Sequence, residues 1–149
     1  MITQEESLSK EQSITSPSNE TPAKRARVLL AEDDRSLRRY LEVVIGRAGY
    51  DVVSATDGLQ AMKTLLTSPI DIVITDAMMP NLSGHELSRF LKNTPQLSHL
   101  PIILLSARER KETSQEAEPV DAFLAKPVSA VDLIDCIGEL LRERNRPKD

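Results

Sequence analysis

Apolar residues fall into two alternating patterns along most of this chain. Short runs rich in β-branched residues, "ARVLLA" (26–31), "YDVVSA" (50–55), "IDIVIT" (70–75), "PIILLSA" (101–107) and "DAFLA" (121–125), have the length and composition of strands. Between them the spacing changes to that of a helix. Leu37, Leu41, Val44, Ile45 and Ala48 form one such stripe, with Gly49 as its expected C-cap. Leu59, Met62, Leu65 and Leu66 form a second, closed by Pro69; Leu87, Phe90 and Leu91 form a third, ended near Pro95. The last stripe, Leu133, Ile137, Leu140 and Leu141, follows Ser129 as N-cap with Asp132 three residues on.

Strands alternating with helices make βαβ units, and hence a parallel sheet with helices on both faces. The first, third and fourth strands are apolar throughout, as central strands are, while the second and fifth are mixed, as edges are. The predicted fold is therefore α/β: a flavodoxin-like, doubly wound, five-stranded parallel sheet of order 2-1-3-4-5, with its switch point between the first and third strands. The segment "RERKETSQEAEPV" (108–120) should hold the fourth crossover helix, but it lacks an apolar stripe and contains Pro119. A short or irregular fourth helix, or a loop, is expected there. Residues 1–24 are polar and without period, and are expected to be a disordered tail. The folded unit is expected over 25–144, with 145–149 as a C-terminal tail.

Composition narrows the function classes. With 149 residues the chain has room for one ordinary domain, and with 3% aromatics and no Trp its core must be aliphatic. A net charge of -4 supplies no electrostatic case for direct binding to nucleic acid or to an anionic membrane. Cys136 is the single cysteine, so neither an intramolecular disulfide nor a zinc cluster is available. No run reaches the roughly 18 apolar residues of a membrane span, and the first residues lack the apolar core of a signal peptide, so cytoplasmic localisation is expected.

The chemistry lies at the carboxyl ends of the strands. The first strand runs into Glu32, Asp33 and Asp34, the third ends on Asp76, the fourth on Ser106, and the fifth on Lys126 followed by Pro127. In a 2-1-3-4-5 sheet these ends share one rim, so several carboxylates, one hydroxyl and one ammonium converge. Two carboxylates about 5 Å apart repel by roughly 3 kcal/mol at an effective dielectric of about 20. Lys126 offsets part of this, and a divalent cation would offset more. The donors are all hard oxygens, which suits Mg²⁺ best, with Mn²⁺ as the alternative. A carboxylate nucleophile, a metal, a cation and a hydroxyl donor together make a phosphoryl-transfer site. Taken singly, each feature has an ordinary reading: Asp76 as a turn residue, Glu32-Asp33-Asp34 as helix capping, Lys126 as a loop residue before proline.

"VLLAEDD", "DIVITDAMMPNLSG", "PIILLSA" and "DAFLAKP", in this order, resemble the receiver domains of two-component response regulators over about residues 25–144. The resemblance implies that Asp76 is the phosphoacceptor, taking its phosphoryl group from a histidine kinase or a phosphotransfer protein. It implies that Glu32 and Asp33, with Asp76 and the backbone carbonyl of Met78, hold Mg²⁺, and that Asp34 lies just outside. Ser106 and Lys126 would engage the phosphoryl oxygens, Lys126-Pro127 would be a cis peptide, and Phe123 would be the aromatic switch that turns inward when Ser106 is drawn toward the phosphate. Phosphorylation from phosphohistidine and slow self-dephosphorylation would be the only reactions, so the chain is not expected to be a turnover enzyme. Ser106 and Lys126 are twenty positions apart, a shorter interval than is typical, and "EAEPVDAF" replaces the usual Gly-Ala before the fifth strand's acid, so the signalling face is expected to be atypical.

Three functions remain open at this point. The first is a stand-alone phosphoacceptor that signals to a downstream protein target or passes phosphate on in a relay; no effector domain is read after the last helix. The second is a phosphorylation-independent interaction module on the same fold. The third is a hydrolase of the haloacid-dehalogenase type, which wants a second acid two residues after the nucleophile, where this chain has Met78.

Overall fold

The computed structural model describes residues 25–107 and 119–145. In chain order the elements are β1 (Arg27–Ala31), α1 (Arg35–Arg47), β2 (Asp51–Ala55), α2 (Gly58–Thr67), β3 (Ile72–Asp76), α3 (Gly84–Lys92), β4 (Ile102–Ser106), β5 (Ala122–Ala125) and α4 (Ala130–Arg144). The five strands form one sheet of order β2-β1-β3-β4-β5, with every neighbouring pair parallel, as the sequence pattern predicts. Most of the 108–120 segment, where a short or irregular helix was expected, lies outside the described residues. Among the described residues, no helix is long and apolar enough to cross a membrane.

Side chains alternate between the two faces of a strand, and this period of two builds two separate cores. Val28 and Leu30 of β1, Ile72 and Ile74 of β3, and Ile103 and Leu105 of β4 pack with Leu41 and Ile45 of α1 and with Leu133 and Ile137 of α4. The intervening residues Leu29, Ala31, Val73 and Ile102 pack with Ala61 and Leu65 of α2 and with Leu87 and Leu91 of α3. The central strands are apolar on both faces because each face has its own helix layer.

Polar residues start each of the four described helices. Asp34 accepts from the N–H groups of Ser36 and Leu37, Asp57 from that of Gln60, and Ser129 from that of Asp132. Ser83 and Glu86 make a reciprocal capping box at the start of α3.

Two details of the apolar stripes differ from expectation. In α2 the buried residues are Gly58, Ala61 and Leu65, while Leu59 and Leu66 are 47% and 60% exposed. The helix turns its small residues inward because it lies close against its neighbours: a Cβ on Gly58 would overlap the backbone carbonyl of Leu82. In α1 the cap residue is Ala48, which is exposed, and Gly49 stands one position further on with φ 99, the left-handed conformation that glycine accepts most easily.

Gly84 is the second close approach. A Cβ there would overlap the carbonyl oxygen of Asp76, so α3 can begin directly against the end of β3 only because residue 84 has no side chain. Gly84→Ala should lower stability by about 2 kcal/mol. Gly46→Ala, at an exposed position in α1 with open space around it, should raise stability by about 0.5–1 kcal/mol. Urea unfolding of both variants checks this contrast, and effects of the same sign would contradict it.

Candidate functional site

The hydrogen-bond ladder continues for one residue past several strands. Glu32 N–H donates to Ala55 O at 3.1 Å, Ala77 N–H to Leu105 O at 2.8 Å, and Lys126 N–H to Ser106 O at 2.9 Å. The alternation of faces continues with it. Glu32 follows Val28 and Leu30, Asp76 follows Ile72 and Ile74, and Lys126 follows Ala122 and Leu124, all residues of the core beneath α1 and α4. Three groups far apart in sequence therefore project to the same side of the same rim.

Their distances are those of direct interaction. Lys126 Nζ lies 3.1 Å from Asp76 Oδ1 and 3.6 Å from Glu32 Oε1. The second distance gives Coulomb attraction without a hydrogen bond, and Glu32 Oε1 is a buried atom with no hydrogen-bond partner among the described residues. The other oxygen, Oε2, accepts from the N–H of Asp34 at 3.1 Å. Glu32 is fully buried, Asp76 is 6% exposed, and Asp33 is exposed at the mouth. Met78 N–H points at Asp76 Oδ1 from 3.5 Å, while Met78 as a residue is 72% exposed.

Burial pushes the Glu32 carboxyl up to about 7 from 4.5; the Asp76 charge adds to the rise, while the Asp34 N–H and the Lys126 charge oppose it. For Lys126, burial disfavours the ammonium, yet the hydrogen bond to Asp76 and the charges of Asp76 and Glu32 outweigh it and raise its proton affinity above the ordinary value. The site is short of positive charge, and its own lysine is held firmly protonated.

Glu32, Asp33 and Asp76 each offer an oxygen, and these atoms lie within 4.8 Å of one another. Three hard-oxygen donors, on residues that include a buried carboxyl with one oxygen unpartnered among the described residues, fit a small divalent cation. Such an ion would favour the ionised form of Glu32 and reduce the repulsion among the three carboxylates. Asp34 takes no part in this set, because its carboxylate caps α1.

Other residues named from the sequence are placed by strand register. Asp76 pairs with Leu105, one residue before Ser106, and Ser106 pairs with Ala125, one before Lys126. Phe123 sits on β5 opposite Leu104 and is partly buried. The Lys126-Pro127 peptide bond is cis.

The structure adds residues that the sequence reading passed over. Arg38 Nη1 donates to Glu32 O at 2.9 Å and reaches Asp33 O at 3.5 Å. Asn81, at φ 70, donates from Nδ2 to Asp57 Oδ2 at 2.9 Å, tying the loop after Asp76 to the start of α2. That interaction, after the stronger one with Gln60 N–H, lowers the proton affinity of the Asp57 carboxyl. "PNLSG" carries the turn signature that would have marked Asn81. Arg38 carried no such signal, since it is one of three arginines among residues 35–39.

Comparison with known proteins agrees with this geometry. Residues 28–138 match the family described as "Response regulator receiver domain". Response regulator MprA of Mycobacterium avium (strain 104) is 35% identical over 127 residues, covering 83% of this chain and 54% of MprA. Sensor histidine kinase TmoS of Ectopseudomonas mendocina is 33% identical over 117 residues, covering 77% of this chain and 12% of TmoS. The chain thus spans about half, or much less, of these relatives' length. The receiver domain of the Francisella response regulator 1452 superposes with a TM-score of 0.73 at 30% identity, covering 80% of this chain and 98% of that one.

The raised Glu32 carboxyl makes stability depend on pH. With a folded-state pKa of about 7 against 4.5 ordinarily, the folded protein holds the proton more tightly. The stabilisation this provides is complete below about 4.5 and is lost as pH rises through about 7. Glu32→Gln should therefore stabilise the metal-free protein at pH 8 by about 1–3 kcal/mol and have little effect near pH 4.5. Unfolding in chelator at both pH values tests this, and an equal gain at both would contradict it.

Proposed function

Because the chain belongs to the response regulator receiver domain family, we propose that it is a phosphoacceptor in a two-component or phosphorelay pathway, with Asp76 as the residue modified. The observation that carries this reading is a nearly buried carboxylate at the end of the central strand β3, 3.1 Å from a lysine and grouped with two further acids.

A phosphohistidine on a histidine kinase or a phosphotransfer protein is the proposed donor. An Asp76 carboxylate oxygen attacks phosphorus, the nitrogen–phosphorus bond breaks, and the imidazole leaves with that electron pair. Mg²⁺ held by Glu32, Asp33, Asp76 and the Met78 carbonyl would supply charge neutralisation for the phosphoryl oxygens. Lys126, already beside Asp76, pairs with the new phosphoryl charge, and Ser106 donates a hydrogen bond to it. Phosphorylation adds about -1.5 to -2 charge at this point. The response of Ser106 makes room that Phe123 fills, which alters the surface about β5 and α4. A downstream protein reads that face. The receiver unit is proposed to span 25–144, and its reactions are phosphorylation and slow self-dephosphorylation rather than turnover of a substrate.

Incubation with Mg²⁺ and acetyl phosphate should add the mass of one phosphoryl group to the protein and none to Asp76→Asn. No adduct on the native chain would favour the phosphorylation-independent interaction module. Ser106→Ala should keep its Mg²⁺ affinity within about twofold while its phosphorylation-dependent spectral or binding change falls several-fold, in line with loss of one charge-assisted hydrogen bond. Equal loss of both properties would contradict the role given to Ser106.

A further inference from the structure

We propose that Arg38 is a positioning residue for the acidic pair and sets the affinity of the site for its divalent cation. The inference rests on the metal-site reading of Glu32, Asp33 and Asp76.

The loop from Glu32 to Asp34 is held from three directions. The β1–β2 ladder anchors it through Glu32 N–H and Ala55 O at 3.1 Å. The N–H of Asp34 folds back onto Glu32 Oε2 at 3.1 Å. Arg38 supplies the third restraint, through Nη1 to Glu32 O at 2.9 Å and toward Asp33 O at 3.5 Å. Its place follows from helix geometry. Arg38 N–H bonds Asp34 O at 2.9 Å, so the residue stands one turn into α1, directly above the loop. From there one rigid guanidinium reaches two successive carbonyls.

Those carbonyls belong to the two residues whose carboxylates would face the metal. Their orientation fixes the peptide planes from which both side chains project. Glu32 is immobilised by burial as well, but Asp33 is exposed, so its carboxylate direction depends on the backbone beneath it. The permanent positive charge of Arg38 by itself opposes a cation at the three acids, so a loss of affinity on its removal reports positioning and not charge. Arg39 carries the same charge one residue later but is exposed, and it provides the control for charge alone.

The test measures Mg²⁺ affinity by titration and, separately, the rate of adduct formation on Asp76 at saturating Mg²⁺. Outer residues that orient metal ligands typically change affinity by about 10–100-fold. Arg38→Ala should weaken Mg²⁺ binding about tenfold, with the rate at saturating Mg²⁺ within about twofold of the native chain. Both contacts come from the one nitrogen Nη1; Arg38→Lys keeps a charged donor but on a shorter side chain without the planar guanidinium, and should recover only part of the affinity. Arg39→Ala should bind Mg²⁺ like the native chain. The proposal is overturned if Arg38→Ala binds Mg²⁺ normally, if Arg38→Lys restores affinity fully, if Arg39→Ala loses as much, or if the rate deficit of Arg38→Ala persists at saturation. A native chain that binds no Mg²⁺ would instead overturn the metal-site reading. Should Arg38→Ala not fold, the ratio of affinities of Arg38→Lys and the native chain decides the question.

Discussion

A carboxyl group with no exposure to water, Glu32, sits beside a second buried acid, Asp76, and shares Lys126 with it. Burying charge is costly unless it is paired and hydrogen-bonded, and here the pairing is incomplete: Lys126 is 3.1 Å from Asp76 but 3.6 Å from Glu32, whose Oε1 has no hydrogen bond among the described residues. A core evolved for stability alone would replace such a cluster with apolar residues. Its persistence at the rim of an otherwise aliphatic sheet is the kind of local conflict that marks a functional site, and the neighbouring features make sense as ways of holding it.

The two cores supply the rigidity. Each central strand is gripped on both faces, by α1 and α4 on one side and α2 and α3 on the other. The strand ends therefore have little freedom to move apart and relieve the repulsion. Close approach is enforced again by Gly84, which lets α3 begin against the carbonyl of Asp76, and by Gly58, which lets α2 abut the Leu82 backbone. Helix caps act in the same direction. The Asp34 carboxylate starts α1 while its N–H restrains Glu32, and Asp57 starts α2 while its other oxygen restrains Asn81. Capping, which any helix needs, is combined here with fixing the loops that carry the acids.

Under the proposed function, this arrangement would also link the site to signalling. Among the described residues Lys126 is the cation paired with both buried acids, so an added phosphoryl group or metal ion would change that balance of charge. The strand neighbours of Asp76 place Ser106 and then Lys126 on successive strand ends. In the proposed function, a charge added at Asp76 would act first on these two neighbouring strand ends.

Much of this was readable along the chain. The period of two and the helical stripes carry the element order, and the contrast between apolar and mixed strands carries the sheet order, because burial on both faces imposes its composition locally. Strand-end residue types were equally visible, so Glu32, Asp33, Asp76 and Lys126 could be assembled once the sheet order was known. Tertiary packing decided the rest. It chose Ala61 and Leu65 over Leu59 and Leu66 for the buried face of α2, since the available gap favours small residues there. It made Glu32 buried and Asp33 exposed, although both are acids in the same loop. It brought Arg38 onto two carbonyls and Asn81 onto Asp57, contacts that leave no period in the sequence. A sequence states which side chains a strand or helix presents, because that follows from local geometry; how deeply each is buried and which distant group it meets depend on where the other segments come to rest.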